Sequence, residues 1–398
     1  LHLLSRRQRQ MCIRDRCGVE RCLFGNGKEL HFKKLMDFDT IGGKSNKNGA
    51  RFDLDAMYVN WLGLSIKCYL TKSENSLSYV WESLKGKISY CNIKRLMFSS
   101  GWRYYAEIVV SGAAPTRVSI GTSTMGIDPG VSTIAGVSED ACVLEELAPN
   151  AIQYEKKIQK ISQRMDRSRR ISNPNKYNED GTINRSNRDP WKYSKNYVKM
   201  CRLLKSLYRK KHAYIVDSHR ELCNKLITIA RYFPVEKMHF QALQKRAKET
   251  KRQEKKTEVK QKNGTVKLIR KYKRKKRFGR SINRRAPARF LLELKRKAEA
   301  VGGVCAEVDT KEFKASQYNH VTDTYEKIPL SQREKEIGNR KVQRDLYSAF
   351  LIRNADLDFK HPDREKCEYE FEHFAKMQDQ LILKMKESGL SMRQCFGF

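Results

Sequence analysis

One carboxylate interrupts an apolar, β-branched run between residues 125 and 137. The run is of the kind that fills a central strand, and its apolar members are Met125, Ile127, Val131, Ile134 and Val137. Asp128 stands among them and is followed at once by Pro129 and Gly130. Because a carboxylate buried on a strand costs free energy unless it is paired, Asp128 is expected to have a partner. The identity of that partner limits the functions that the sheet can have.

The charge of the chain points to a polyanionic partner. Its 398 residues include 82 Lys and Arg against 45 Asp and Glu, a formal net charge of +37, and 39% are hydrophobic. That composition supports two or three folded domains. Nucleic acid is the expected partner, because each phosphate that a Lys or Arg neutralises releases counterions and so favours binding. No small-molecule substrate is expected. The basic residues are spread along the chain and no apolar run reaches the length of a spanning helix, so no membrane partner is expected.

The eleven cysteines follow no recognised metal or disulfide pattern. None forms a C-x-x-C pair, and their irregular spacing is typical of reduced thiols in a cytoplasmic protein. Cys17 and Cys22 could form half of a metal site, but no second half follows nearby, so a structural role is favoured.

The pattern of the chain divides it into four parts. Residues 1–27 are expected to be disordered or artefactual, since residues 1–16 resemble translated sequencing-adapter read-through, and the chain is expected to be an N-terminally truncated fragment. Residues 28–122 alternate apolar and polar positions between turns, which predicts a small antiparallel β domain. Residues 123–355 are predicted to form an α/β domain, and residues 356–398 a C-terminal helical segment.

Within the α/β domain, three strands are expected between residues 125 and 147. A helical hairpin is predicted over 151–232, with helices near 152–170 and 193–232, followed by a short strand at 233–238. A helix is predicted over 288–301, closed by Gly302 and Gly303, then a strand over 304–308 and a helix beginning near Val342. The expected fold class is α/β, α+β overall.

A basic insertion occupies residues 245–285, where 20 of the 41 residues are Lys or Arg and three are Glu. A solvated charge run is the plainest interpretation of such a tract. Because this one lies between folded segments and carries apolar residues, a nucleic-acid contact that orders on binding is favoured. The candidate nucleic-acid-binding residues are Lys273, Arg274, Lys275, Lys276, Arg277, Arg284, Arg285 and Arg344.

Three acidic residues answer the question raised by Asp128. Asp128 lies on the first core strand, Glu236 at the end of a later strand, and Asp345 at the start of a helix that carries Ser348 and Ala349. Sheets of the RNase H type place carboxylates in these settings to hold two Mg²⁺ or Mn²⁺ ions, for which carboxylate oxygens are suitable ligands. Gly130 is expected to keep the backbone low enough for phosphate to approach. Taken singly, each carboxylate could instead be a turn, strand-end or helix-start residue.

The order of these motifs resembles the TnpB family of transposon-encoded RNA-guided nucleases, relatives of the type V CRISPR effectors. The resemblance covers roughly residues 88–354 and lies in G-I-D-P-G-V, V-E-K-M, F-L-L-E-L-K-R-K-A-E-A-V-G-G-V-C-A-E-V-D, K-A-S-Q-Y-N-H and Q-R-D-L-Y-S-A-F-L-I. It implies a RuvC-like endonuclease with Asp128, Glu236 and Asp345 as its catalytic triad. It further implies a prokaryotic mobile element, a guide RNA and a target DNA.

The chain departs from that family between the S-Q motif and Asp345. A four-cysteine zinc ribbon is normal there, whereas residues 318–342 contain no Cys, so zinc is not expected. The segment is expected to fold without metal or to form a short helical lid. Two other functions stay open: a nuclease-inactive, nucleic-acid-binding regulator on the same fold, and a transposase that joins DNA ends.

Overall fold

The computed structural model describes residues 19–25, 38–70, 74–112, 114–115, 118–179, 181–244, 252–260, 266–272, 278–329 and 332–389. The chain divides into two compact units between Gly112 and Ala113, whereas the sequence pattern placed the division after residue 122. Residues 19–23, within the segment expected to be disordered or artefactual, are helical. In the described part of the chain, no helix combines the length and apolar character needed to cross a membrane.

In its described residues, the first unit contains two three-stranded antiparallel sheets and a helix, besides the short helical stretch at residues 19–23. One sheet has the order β1-β5-β6 and the other β2-β3-β4. The strands are β1 (Thr40–Gly42), β2 (Arg51–Asp53), β3 (Tyr58–Trp61), β4 (Leu64–Lys67), β5 (Lys87–Phe98) and β6 (Gly101–Ser111). Helix α1 (Glu74–Leu84) was not predicted from the sequence. Its aromatic and β-branched residues favour strands, but Val80 and Leu84 recur at helical spacing and pack on the core around Phe52 and Val59.

The second unit is built on a sheet with the order β10-β9-β8-β11-β14, and β7 pairs with β11 beside this path. Strand β9 is antiparallel to β8 and β10, while β8, β11 and β14 pair in parallel. The strands are β7 (Ser123–Thr124), β8 (Gly126–Pro129), β9 (Thr133–Val137), β10 (Cys142–Glu146), β11 (Ala230–Glu236) and β14 (Val304–Val308). This order, with the second strand of the five reversed, is the RNase H arrangement, so the predicted α/β fold class is confirmed.

Helices cover both faces of that sheet because its strands alternate apolar side chains between two cores. One core joins Ala135 and Val137 of β9 to helices α8 (Arg344–Arg353) and α9 (Arg364–Glu387). The other core joins Ile127 and Ile134 to helices α3 (Lys195–Ile229) and α6 (Pro287–Ala300). Asp128, one residue along from Ile127, therefore points toward the α8 side.

The helical hairpin consists of α2 (Ala151–Ser172) and α3. Helix α3 ends at Ile229, three residues before the predicted end at residue 232. The apolar spacing continues through this boundary, but residues 230–236 pair with β7, β8 and β14 as strand β11. Tertiary pairing therefore overrides the local helical period.

The basic insertion contains a two-stranded hairpin, β12 (Arg252–Lys260) and β13 (Val266–Tyr272), then helix α5 (Gly279–Arg285). Residues 273–277, the densest part of the predicted nucleic-acid contact, lie outside the described residues. Helix α4 (Phe240–Gln244) precedes the insertion.

The cysteine-free segment forms two β-hairpins, so the expectation of a helical lid is wrong. Helix α7 (Thr310–Phe313) leads into β15 (Tyr318–Asn319), β16 (Thr324–Tyr325), β17 (Glu334–Ile337) and β18 (Arg340–Gln343). Buried residues alternate along β17, which is the strand period, and the turn uses Gly338 at a φ of +58°. The buried Lys335 ammonium donates to the carbonyl oxygens of Gln317 (3.2 Å) and Tyr318 (2.6 Å) and so ties the two hairpins together.

Candidate active site at the strand ends

Asp128 and Glu236 are brought together by the parallel pairing of β8 with β11. Ile127 is in register with Val235, so the next residues, Asp128 and Glu236, are neighbours at the carboxyl ends of two adjacent strands. Glu236 is the last residue of β11, and only Pro129 follows Asp128 in β8. Their carboxyl groups are hydrogen-bonded to each other.

Helix α8 carries Asp345 across this edge of the sheet. The helix lies so close to β8 that a Cβ on Gly126 would fall far inside van der Waals contact with the carbonyl oxygen of Ala349 and the backbone nitrogen of Arg353. Asp345 is one turn before Ala349, in the first turn of the helix. The side chain of Gln343 caps that turn by accepting the Leu346 N–H at 2.7 Å. The three predicted carboxylates therefore come from two strand ends and one helix start, as expected.

Burial and neighbouring carboxylates raise the pKa values of both strand-end carboxyls. Burial raises the pKa of Asp128 well above its usual value, the charges of Glu236 and Asp345 raise it further, and Arg344 opposes the rise. Burial also raises the pKa of Glu236, against hydrogen bonds from Asp128 and Thr310. Of the two carboxyls, Asp128 therefore takes up a proton more readily. A bound cation would remove the need for that proton.

Asp345 is held by two arginines. Arg344 donates to Oδ1 from Nη2 (3.0 Å) and Nε (3.2 Å), and Arg333 donates to Oδ2 from Nη1 (3.3 Å). Within the ranges that the structure describes, no group of three or more His, Cys, Asp or Glu side chains is arranged to hold a metal ion. The backbone thus brings the three carboxylates to one edge, while the oxygens of Asp345 face guanidinium groups.

The other predicted nucleic-acid contacts in the described chain pair with carboxylates of the protein itself. Arg284 bonds to Glu155 at 2.7 and 2.8 Å, and the buried Arg285 bonds to Glu146. Arg344 is buried beside Asp345. A count of positive charges in the sequence does not show these partners, because Glu155 and Glu146 lie 129 and 139 residues from them.

Two contributors to the site were not found from the sequence. Thr310 hydrogen-bonds to Glu236, and its Oγ1 also lies 2.6 Å from the Lys237 carbonyl oxygen. Arg333 reaches Asp345 from the segment before β17. A possible signal for Thr310 was its place after Asp309, an N-cap residue whose side chain accepts the Lys311 N–H at 2.7 Å.

Comparison with known proteins gives remote structural likeness. No family model matches the chain, and no curated protein sequence matches it. The chain is similar to a Cas12f1 complex with single-guide RNA and target DNA, at 13% identity and a TM-score of 0.42, over 71% of this chain and 48% of that one. It is also similar to a CRISPR-Cas12f ternary complex, at 15% identity and a TM-score of 0.31, over 79% of this chain and 51% of that one.

The chain thus spans about half the length of each of these proteins. At such identities and TM-scores, the assignment of the fold rests on the strand order of its own sheet. That sheet has the RNase H order, with Asp128 and Glu236 at adjacent strand ends and Asp345 on the helix packed over them.

Proposed function

We propose that this chain is a metal-dependent endonuclease that hydrolyses phosphodiester bonds with Asp128, Glu236 and Asp345. The observation that carries the proposal is the Asp128–Glu236 pair, two adjacent carboxyls whose pKa values are raised by burial at the edge crossed by Asp345. Partly enclosed carboxylates that repel one another are costly unless a cation or a proton compensates them. Perturbed acids in such a setting favour a functional role over a structural one.

The donor set fits Mg²⁺ or Mn²⁺. All three side chains offer hard carboxylate oxygens, and the raised pKa values of Asp128 and Glu236 mark where positive charge is favoured. Bound there, two such ions would supply an activated water and a stabilised leaving 3′ oxygen. Zinc is not part of the proposal, because residues 318–342 contain no Cys.

The chain's own residues would have distinct parts in this reaction. Asp128 would bind the ions as a carboxylate, and Thr310 would keep Glu236 oriented through its hydrogen bond. Asp345 would exchange Arg333 for metal, because Arg333 holds it by one contact of 3.3 Å whereas Arg344 holds it by two. The released Arg333 guanidinium would then lie beside the site, where it can meet a phosphate.

The finer proposal is an RNA-guided DNA endonuclease of the TnpB type, encoded by a prokaryotic mobile element and acting in the cytoplasm. It is supported by the motif resemblance and by the net charge of +37, which suits a guide RNA and a target DNA as partners.

A nuclease-inactive, nucleic-acid-binding regulator is the second candidate. It is favoured by one observation, the pairing of both Asp345 oxygens with arginines, which would suit a carboxylate that no longer binds metal.

Purification of the full chain with any co-purifying nucleic acid tests the two candidates. We expect a bound RNA of discrete length and cleavage of matching DNA that begins on addition of Mg²⁺ and stops on addition of a chelator. Bound RNA with no cleavage at any Mg²⁺ or Mn²⁺ concentration would favour the regulator. Cleavage that persists in chelator would refute the metal-dependent assignment.

A further inference from the structure

The tip of the helical hairpin, in its described residues 173–179 and 181–193, is held together by side-chain hydrogen bonds. Asn173 is buried at the end of α2, and its side-chain amide donates to the carbonyl oxygens of Arg169 (2.9 Å) and Lys192 (2.8 Å). Its side-chain oxygen also accepts the Lys192 N–H at 2.8 Å. One residue therefore fixes the beginning of the loop to its end.

A buried cation and aromatic rings complete the interior of the tip. Lys176 is buried, donates to the Asn187 carbonyl at 3.0 Å, and lies 5.2 Å from the centre of the Trp191 ring. Arg169 lies 5.3 Å from the same ring, and Tyr177 meets it edge-on at 6.0 Å. Because these contacts hold the loop before any ligand arrives, a side chain displayed on it loses little entropy on binding.

An aromatic pair is displayed where the tip joins α3. Tyr193 and Tyr197 stack with ring centres 4.6 Å apart and planes at 20°. Ser194, between them, caps the helix by accepting the Tyr197 N–H at 3.1 Å. Packing of the helix start is the plainest role for such a pair. However, Tyr193 keeps 51% of its surface exposed, so part of the residue stays accessible to a ligand.

The surroundings of this pair are strongly basic. Between residues 164 and 202 there are eleven Lys and Arg against four Asp and Glu. The exposed basic residues on either side of the pair include Arg185, Arg188, Lys192, Lys195, Lys199 and Arg202.

We propose that Tyr193 stacks on an unpaired nucleobase and that the surrounding Lys and Arg residues hold the adjoining phosphates of a single strand. Aromatic rings set among basic residues are how proteins bind single strands, because every base has a face that can stack, whereas a duplex keeps its base faces covered. A second copy of the protein is not the expected occupant, because two equally basic surfaces would repel each other. This inference requires that the chain binds nucleic acid, but it does not require that the chain cleaves it.

Binding of short oligonucleotides by the full chain, measured in chelator at fixed salt, tests the proposal. The probes are one sequence as single-stranded RNA, single-stranded DNA and duplex DNA, together with an abasic single strand. The variants are Tyr193→Ala and Tyr193→Phe. The matched control is Tyr369→Ala, a tyrosine that is 89% exposed on α9 among Glu368, Glu370 and Glu372.

Tyr193→Ala is expected to weaken single-strand binding by roughly 5- to 100-fold with an unchanged salt slope, as the loss of one stacked base predicts. Tyr193→Phe and Tyr369→Ala should bind like the parent, and the abasic strand should not distinguish Tyr193→Ala from the parent. A larger loss on RNA or on DNA would identify which strand occupies the site. Equal affinity of Tyr193→Ala and Tyr369→Ala on every probe would overturn the proposal, as would an equal loss on the duplex. Because this experiment measures binding and not cleavage, its result can be interpreted even if the chain proves not to be a nuclease.

Discussion

Gly126 sets the distance between helix α8 and strand β8, and with it the position of Asp345. The backbone of Ala349 and Arg353 occupies the space that a Cβ would need there. Gly126→Ala should therefore push the helix away and destabilise the fold by roughly 3 kcal/mol or more, at the upper end of the cost of overpacking. Urea unfolding measures this change. Gly279→Ala is the control, because the nearest atom to its new Cβ would be 3.8 Å away. Equal stability of the two variants would show that α8 is not held by this contact.

In the proposed site, Arg333 would compete with metal for Asp345. Its guanidinium donates to Oδ2 at 3.3 Å and places a positive charge beside the proposed ion site. Arg333→Gln should therefore tighten Mn²⁺ binding, measured by calorimetry without substrate, by about 3- to 10-fold, which corresponds to about 1 kcal/mol.

Arg340→Gln is the matched control for that measurement. Arg340 lies on β18 and pairs with Glu372 at 2.8 Å and with Asp379 at 3.7 Å, so its loss should leave Mn²⁺ affinity unchanged. Weaker Mn²⁺ binding in Arg333→Gln than in Arg340→Gln would mean that Arg333 supports the site instead of competing for it.

For individual residues, the sequence was informative about the three carboxylates and uninformative about the side chains that pair with them. Asp128, Glu236 and Asp345 stood out because each lies at the end or start of an element with an apolar pattern. Arg285, a candidate nucleic-acid contact, is buried and paired with Glu146, a partner that the sequence does not reveal because it is distant along the chain. The presence of a glycine at position 130 is explained by the turn itself. The Gly130 N–H donates to the Thr133 carbonyl at 2.9 Å, and a Cβ on residue 130 would lie 3.0 Å from that oxygen.

Among the elements, the cysteine-free hairpins are held to α8 by buried polar contacts. His320 is buried, its backbone N–H donates to the Tyr347 hydroxyl at 3.2 Å, and its Nδ1 lies 2.7 Å from that hydroxyl. Lys335 lies 5.4 Å from the centre of the Tyr347 ring. Because β18 runs directly into α8, these contacts also hold the helix start that carries Asp345.

His320 makes the hairpin region sensitive to acid. Burial lowers its pKa from 6.5 to about 4, so the folded state keeps the ring neutral while the unfolded state binds a proton below pH 6.5. Stability should therefore fall between pH 6.5 and about 4, by at most about 1.4 kcal/mol per pH unit for this residue. His320→Gln should remove that part of the slope in urea unfolding. Replacing the exposed His361 with Gln should leave the slope as it is, and an equal slope in all three proteins would refute this assignment.

The limits of prediction also differ between elements. The strands and helices with one clear period were foreseen, among them α2, α6 and β14. The end of α3, the helix α1 and the two hairpins before α8 were not, because strand pairing or packing decides them and the local pattern is ambiguous.

For the whole molecule, the surplus of positive charge should appear as salt dependence. Lys156, Lys160 and Arg164 are exposed at helical spacing along α2. Replacing all three with Gln should weaken nucleic-acid binding for every sequence and flatten the log–log salt slope by about 0.7 to 0.9 for each phosphate that the variant no longer neutralises. The control replaces three exposed lysines of α9, Lys366, Lys376 and Lys384. The same slope in both variants would mean that α2 does not face the nucleic acid.

The central claim, that three carboxylates at one edge of the sheet perform metal-dependent cleavage, is tested most directly by Asp345→Ala in the full chain. Phosphate affinity comes mainly from Lys and Arg, so nucleic-acid affinity should stay within about twofold of the parent. Mg²⁺-dependent DNA cleavage should fall on the order of 10²- to 10³-fold or more, because the developing charge loses its stabilisation. Asp358→Ala, at an exposed aspartate, is the control and should cleave like the parent. If folded Asp345→Ala, checked by thermal melting, cleaves at the parent rate, then Asp345 is only a helix-start charge and the assignment of the active site is wrong.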